Sequence, residues 1–269
     1  MQMKSRSAGL PARSYIDGLA ATGRYAFTSA DARQALKVSP AATKLALLRL
    51  SKEGLLASPS RGFYVIVPPE YRSLGCLPAD QFVPALMQKV GLRYYAGLLS
   101  AAQYHGAAHQ RPQVFQVMLE KPRRPIQGGQ VRVEFFVRKR LRDVPSQSFN
   151  TPRGAIVVST PEATALDLVG YQDRVGGLDQ VATILSELAE PIDPKKLALV
   201  AATAPVAWSQ RLGYLLSQVG ASDKVAELKD HTRKIAHETT TLLPSVSSKN
   251  APLDAEWKLF VNSKVESEL

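Results

Sequence analysis

Residues 43–72 place a leucine-rich helix, a glycine and two short apolar strands in immediate succession. The stretch reads TKLALLRLSKEGLLASPSRGFYVIVPPEYR. Leu47 and Leu50 recur with Thr43 and Ala46 at helical spacing, and a glycine follows the last turn, as at a helix C-terminus. The runs LLAS and FYVIV are strand-like, and PSRG supplies a basic turn between them. Helix, strand, basic turn and strand in this order are typical of the second half of a winged helix.

The residues before this stretch predict two further helices. One is RSYIDGLAATG, and the next is FTSADARQALKVS, for which Thr28 or Ser29 is a candidate N-cap. Ser39 and Pro40 then give an N-cap and a first helical residue for the leucine-rich helix. Three helices, the last two joined by a tight turn, indicate a helix-turn-helix, whose second helix enters the major groove while the wing reaches the backbone. Another small α+β domain is the alternative.

The chain has 269 residues, a formal net charge of +11 and a pI of about 9.8, which favours anionic partners. The charge is uneven: the net charge is +6 for residues 1–70, +9 for 71–160 and −4 for 161–269. One cysteine, Cys76, excludes an internal disulfide and a cysteine-rich zinc site. We find neither a signal peptide nor an apolar run of membrane-spanning length, so we expect a soluble cytoplasmic protein without a membrane partner.

The Pro- and Gly-rich segment VPPEYRSLGCLP divides the chain into two predicted domains. We expect an α+β protein, with a winged helix-turn-helix in residues 1–70 and a mixed α/β domain with a small sheet and several helices in residues 75–269. In the second domain, PADQFVPALMQKVG and RYYAGLLSAAQYHG are predicted helices, and QVFQVMLE, QVRVEFFVRK and GAIVVST are predicted strands. Helical segments follow from PEATALDLVGY to DKVAELKDHTRKIAHE, and a short strand is predicted near Trp257.

The sequence gives no reason to expect an enzyme. It has no Walker A sequence, no G-x-S-x-G elbow, no H-E-x-x-H and no nucleotidyltransferase metal core. His105 and His109 lie four residues apart, but Gly106 interrupts the turn, so we expect polar helix-end histidines and no metal ion or cofactor. Asp167 is expected to pair with a nearby arginine.

Eight basic residues lie between positions 121 and 142, where Glu134 is the one acidic residue, and they form a second candidate patch. They are Lys121, Arg123, Arg124, Arg132, Arg138, Lys139, Arg140 and Arg142. If the two flanking strands form a hairpin, these charges lie at its opposite ends. The segment is either a solvated rim or a contact surface for DNA phosphates, RNA or an acidic partner.

Several elements together resemble the AbiEi family, the antitoxins of type IV abortive-infection toxin–antitoxin systems. They are RGFYVIVPPEYR, YYAGLLSAAQYHG, VSTPEATALDLVGY and WKLFVN, spread over nearly the whole chain. The resemblance implies a repressor that binds inverted repeats upstream of its own operon. It also implies that the C-terminal domain counters a cognate nucleotidyltransferase-like toxin without a stable complex. The family carries DNA contacts on its winged helix, so the expected DNA-binding residues here are Arg33, Lys37, Ser39, Lys44, Arg49, Lys52 and Arg61.

Two leucines depart from the pattern of a polar recognition surface. If Thr43, Ala46, Leu47 and Leu50 face the core, Leu45 and Leu48 project outward. They either contact apolar groove surface such as thymine methyls, or pack on the C-terminal domain, or indicate that the predicted face is rotated.

Two other functions remain open at this point. The chain could be a winged-helix regulator of other genes with a C-terminal sensor or oligomerisation domain, or an RNA-binding or protein-docking antitoxin. We expect a protein that is monomeric in solution and binds operator DNA cooperatively.

Overall fold

The computed structural model describes residues 10–107 and 113–266. The N-terminal part consists of three helices and a three-stranded sheet, in the order α1 (Ala12–Ala21), β1 (Ala26–Thr28), α2 (Ser29–Leu36), α3 (Pro40–Lys52), β2 (Leu56–Ser60) and β3 (Phe63–Ile66). The sheet order is β1-β3-β2, with both pairs antiparallel. This is a winged helix, as predicted.

Local capping fixes the two helices of the helix-turn-helix. Thr28 and Asp31 form a capping box at the start of α2: the Asp31 amide donates to Thr28 Oγ1 at 3.1 Å, and the Thr28 amide donates to the Asp31 carboxylate at 2.8 Å. Lys37 ends α2 in a left-handed conformation, with φ of 52°. Ser39 then caps α3, where Pro40 takes the first helical position.

The C-terminal part combines a six-stranded sheet, a helical layer and a small second sheet. Its first elements are α4 (Ala79–Val90), β4 (Tyr94–Ala96), α5 (Leu98–Tyr104), β5 (Val114–Leu119), β6 (Ile126–Gly128), β7 (Val131–Val137), β8 (Ser146–Thr151) and β9 (Gly154–Ser159). Then follow α6 (Pro161–Gly170), α7 (Leu178–Leu188), α8 (Pro194–Ala201), α9 (Val206–Gln218), α10 (Ala226–Ile235), β10 (Thr240–Thr241), β11 (Leu253–Asp254) and β12 (Leu259–Phe260). The fold class is α+β, as expected.

The large sheet has the order β6-β7-β5-β4-β9-β8 and corrects the expected hairpin. Strands β5 and β7 are parallel, in a register that pairs Val114 with Arg132 and Leu119 with Val137. The chain between them forms β6, which turns back onto β7 in the antiparallel sense. The hairpin is therefore β6–β7. Because β5 and β7 are parallel, the segments that follow them begin at the same end of the strands.

A second correction concerns the segment RYYAGLLSAAQYHG, which was predicted as one helix. Tyr94–Ala96 is a strand between β5 and β9, and the helix begins only at Leu98. Pairing with two neighbouring strands holds this short segment extended.

The winged helix shares a hydrophobic cluster with the C-terminal part. Phe63, Val65 and Val67 from the wing side pack in one cluster with Phe82 of α4 and Leu119 of β5. A separate cluster lies inside the winged helix, and the largest lies between the sheet and the C-terminal helices. The wing therefore rests on the body of the protein.

Candidate nucleic-acid interface

Helix α3 turns one face to the core and the other to solvent. Thr43, Leu47 and Leu50 are buried. The solvent face presents Ala41, Lys44, Leu45, Leu48, Arg49 and Lys52. The predicted core face of α3 is therefore confirmed at the three buried residues, while Ala46, the fourth residue predicted there, is half-buried.

Leu45 and Leu48 are 55% and 48% exposed. They do not pack on the C-terminal part of the chain, and the predicted face is not rotated. The sequence suggested three explanations for these outward-facing leucines. The one compatible with the structure is contact with an apolar surface outside the chain, such as thymine methyls in a groove.

The cations expected on the winged helix lie free at its surface. Arg33, Lys37, Lys44, Arg49, Lys52 and Arg61 are all exposed. Across residues 10–107 and 113–266, none of the six forms an ion pair, whereas Arg13 and Arg24 nearby pair with Glu53 and Asp31. Unpaired cations on a recognition helix and a wing are suited to bind phosphates.

Ser39 is the N-cap of α3, as predicted. Its Oγ accepts a hydrogen bond from the Ala42 amide at 3.2 Å, and its carbonyl accepts one from Thr43 Oγ1 at 3.0 Å. Both groups hold the first turn of α3. The hydroxyl therefore orients the helix, and its direct contact with DNA stays a prediction.

Residues of the C-terminal part hold the tip of the wing. Gly62 turns the hairpin with φ of 68°, a conformation that favours glycine. Lys89 at the end of α4 donates from Nζ to the Arg61 carbonyl at 3.0 Å, and Arg123 Nη2 donates to Ser60 Oγ at 3.2 Å. Burial lowers the pKa of Lys89, and the adjacent Arg123 charge lowers that pKa further. These two residues place additional positive charge beside Arg61.

Arg138 does not belong to the second basic patch. Its side chain is buried, and its Nε donates to Asp167 Oδ1 at 2.8 Å. Its Nη1 donates to the Thr203 carbonyl at 3.0 Å, and Tyr95 donates its hydroxyl to Asp167 Oδ2 at 2.6 Å. The expected arginine partner of Asp167 is thus Arg138, and the pair holds β7 against the helical layer.

Burial dominates the electrostatics of this network. Desolvation raises the pKa of Asp167, although the Arg138 charge and the hydrogen bonds from Tyr95 and Arg138 act in the opposite direction. Burial, followed by the Asp167 charge, raises the pKa of Tyr171 to about 12. The guanidinium of Arg138 also lies 5.1 Å from the ring centre of Trp208. The network has the features of a structural ion pair.

The other seven basic residues between positions 121 and 142 lie in different places on the protein. Arg123 reaches the wing, Arg140 pairs with Asp143 at 2.9 Å, and Arg142 pairs with Glu120 at 3.2 Å. Arg132 lines a cleft of about 380 Å³ beside Asp80. Lys121, Arg124 and Lys139 are exposed and, within the part of the chain that the structure describes, form no ion pair. The eight residues therefore do not form a single patch.

Lys89 and Arg153 were not found from the sequence. Arg153 lies 3.5 Å from the ring centre of Tyr25 and pairs with Glu70 at 3.0 Å, so it joins the β8–β9 turn to the winged helix. Both residues act on groups far away in the chain, and no local pattern marks such contacts.

Of the two histidines considered from the sequence, the structure describes His105, and His109 lies outside the described residues. His105 Nε2 contacts the Ser159 carbonyl at 2.7 Å, and burial lowers the pKa of His105. Among residues 10–107 and 113–266, no group of three or more potential metal ligands comes together. Over the same residues, every helix is too short or too polar to cross a bilayer.

Comparisons with known proteins cover both parts of the chain. Residues 14–67 match the family described as transcriptional regulator, AbiEi antitoxin, and residues 95–218 match the AbiEi antitoxin C-terminal domain. No curated protein matches the sequence.

One solved structure shows a similar fold at low sequence identity. The RV2827C protein from Mycobacterium tuberculosis is 18% identical, with a TM-score of 0.66 over 92% of this chain and 90% of that one. A nucleotidyltransferase-like protein from Paracoccidioides brasiliensis is 12% identical over 58% of this chain and 90% of that one, with a TM-score of 0.39, too low to assign a common fold.

The two family matches lie in the expected order, one on the winged helix and one on the C-terminal part of the chain. Together they span more than half of the sequence. The chain therefore belongs to the AbiEi family of antitoxin transcriptional regulators.

Proposed function

We propose that this protein binds inverted repeats upstream of its own operon and represses transcription from it. The observation that carries the proposal is the set of six exposed cations on α2, α3 and the wing that form no ion pair with any residue that the structure describes. Unpaired surface cations gain most from phosphate binding, because no internal ion pair has to be broken first.

In this proposal, the cations of α3 and the cation of the wing contact different parts of the DNA. Lys44, Arg49 and Lys52 on α3 accompany the helix into the major groove, while Arg61 on the wing reaches the adjacent backbone. Arg33 and Lys37 extend the contacts along α2 and the turn. Lys121 and Arg124 lie close in sequence to Arg123, which contacts the wing, and in this proposal they add non-sequence-specific phosphate contacts.

Two copies act together at the operator in this proposal. A single DNA-binding module makes few phosphate contacts and binds weakly. We therefore propose a protein that is monomeric in solution and binds the two arms of an inverted repeat cooperatively, because the symmetry of the site dictates two copies.

We further propose that the C-terminal part counteracts a cognate nucleotidyltransferase-like toxin without forming a stable complex. Residues 161–269 carry a net charge of −4, unlike the basic first 160 residues, which suits a partner other than nucleic acid. The protein would act in the cytoplasm by binding, with neither an enzymatic activity nor a cofactor.

A reporter fused to the upstream region tests the repressor role. Expression of the protein should lower reporter activity, and the Lys44→Ala/Arg49→Ala/Lys52→Ala/Arg61→Ala variant at equal abundance should not. Equal repression by the variant would refute the proposed surface.

Growth after co-expression with the neighbouring toxin tests whether the protein counteracts that toxin, and the quadruple variant should still rescue growth.

A further inference from the structure

The centre of the exposed face of α3 is apolar. Ala41, Leu45 and Leu48 follow one another at four- and three-residue spacing, which aligns them along one stripe of the helix. Lys44 and Arg49 lie on either side of this stripe. The positions best placed to meet the floor of a groove thus carry methyl and isobutyl groups.

These side chains cannot read the hydrogen-bonding pattern of base edges, because they have neither donors nor acceptors. The major groove offers one apolar feature that differs between base pairs, the C5-methyl group of thymine. An alanine or leucine side chain distinguishes a thymine from a cytosine by contact with that methyl group.

We infer that Leu45 and Leu48 determine sequence specificity by packing against thymine methyl groups in the major groove, so that each operator half-site presents thymines there. The inference rests on the proposed function, since it requires α3 to enter operator DNA. It assigns phosphate binding to the flanking cations and base selection to the leucines.

The surrounding charge favours DNA over a second copy of this chain. Lys44 and Arg49 flank the leucines, and Lys52 follows Leu48 at four-residue spacing; none of the three has an acidic partner among the described residues. A symmetric contact between two α3 helices would bring identical patches together and place these cations against their own copies. The phosphates that border the major groove supply the opposite charge.

Replacement of thymine by uracil in the upstream fragment tests the inference, because uracil keeps base pairing and charge but lacks the methyl group. The fragment is amplified with dUTP and deoxyuridine primers, and fluorescence anisotropy gives the affinity of the full-length protein at fixed salt. We expect the wild type to lose about fourfold in affinity for each contacted methyl, which corresponds to the burial of one carbon. The Leu45→Ala/Leu48→Ala variant should bind the thymine fragment more weakly and lose most of the difference between the two fragments.

Leu199→Ala is the matched control, since Leu199 is 73% exposed on α8 and distant from α3 in the chain. It should keep the wild-type ratio of thymine to uracil affinities. Specific wild-type binding with equal affinity for both fragments would overturn the inference and leave the proposed function intact. Absence of any preference for the upstream fragment over unrelated DNA would overturn both. Dissociation of a dimer by the double variant, with no uracil effect, would assign the leucines to self-association instead.

Discussion

At the scale of single residues, the surroundings of each arginine decide its role. Arg61 is exposed and unpaired within the described chain, whereas Arg138 is buried and bonded to Asp167 and Thr203. A buried cation needs its partners, because removal of one partner leaves an uncompensated charge or polar group. The same residue type is therefore available at the surface in one place and holds the fold together in the other.

The first prediction compares two arginines from the same basic segment. Arg138→Gln should lower the free energy of unfolding by about 3–5 kcal/mol, since Asp167 loses its buried partner. Arg142→Gln removes an exposed pair with Glu120 and should cost less than about 1 kcal/mol. Urea unfolding followed by circular dichroism measures both, and equal losses would contradict the structural role of Arg138.

At the scale of secondary-structure elements, hydrogen bonds at their ends hold α3 and the wing in place. The Ser39 hydroxyl holds the first turn of α3, and Lys89 and Arg123 hold the tip of the β2–β3 hairpin. An element that carries a binding surface must be fixed at its ends, because a frayed first turn would misplace the side chains that follow.

The second prediction separates capping from DNA contact at Ser39. Ser39→Ala should lower stability by about 1 kcal/mol, because the Ala42 amide loses its acceptor. Ser39→Asp keeps a capping acceptor and should preserve stability, but its negative charge should weaken operator binding. Thermal unfolding and anisotropy on the same samples give both quantities. Operator affinity in Ser39→Asp equal to that of the wild type would place Ser39 away from DNA.

The third prediction concerns the wing. Arg61→Gln should reduce the slope of log affinity against log salt by about one, since one phosphate contact is lost. Lys196→Gln, on α8, removes a charge outside the winged helix and should leave the slope unchanged. A wild-type slope in the Arg61 variant would remove the wing from the interface.

The local features were predictable from the sequence, and the long-range ones were not. Thr28, Ser39, Pro40 and Gly62 mark helix starts and the wing turn by their own conformational preferences, so the winged helix followed from short patterns. The parallel pairing of β5 with β7 and the strand inside the predicted α5 helix depend on partners many residues away. The run of basic residues likewise carried no sign that one of them, Arg138, points inward.

At the scale of the whole molecule, the winged helix packs directly against the C-terminal part of the chain. Phe63 and Val65 share a cluster with Phe82 and Leu119, and Arg153 stacks on Tyr25. The predicted boundary near residues 70–75 separates two family matches, but a cut there would expose these apolar side chains to water.

The fourth prediction follows from the shared cluster. The full-length protein should unfold in one cooperative calorimetric transition, and Phe82→Ala in α4 should lower the whole transition, with a loss of about 3–5 kcal/mol. Two transitions in the wild type, with only one moved by Phe82→Ala, would mean that the halves fold independently.

Operator binding by the winged helix is the central claim, and fluorescence anisotropy on the native upstream fragment tests it most directly. The wild type should bind this fragment more tightly than unrelated DNA of equal length, with an affinity that falls steeply as salt rises. The Lys44→Ala/Arg49→Ala/Lys52→Ala/Arg61→Ala variant, confirmed as folded by circular dichroism, should lose that binding. Undiminished affinity in the folded variant would contradict the account.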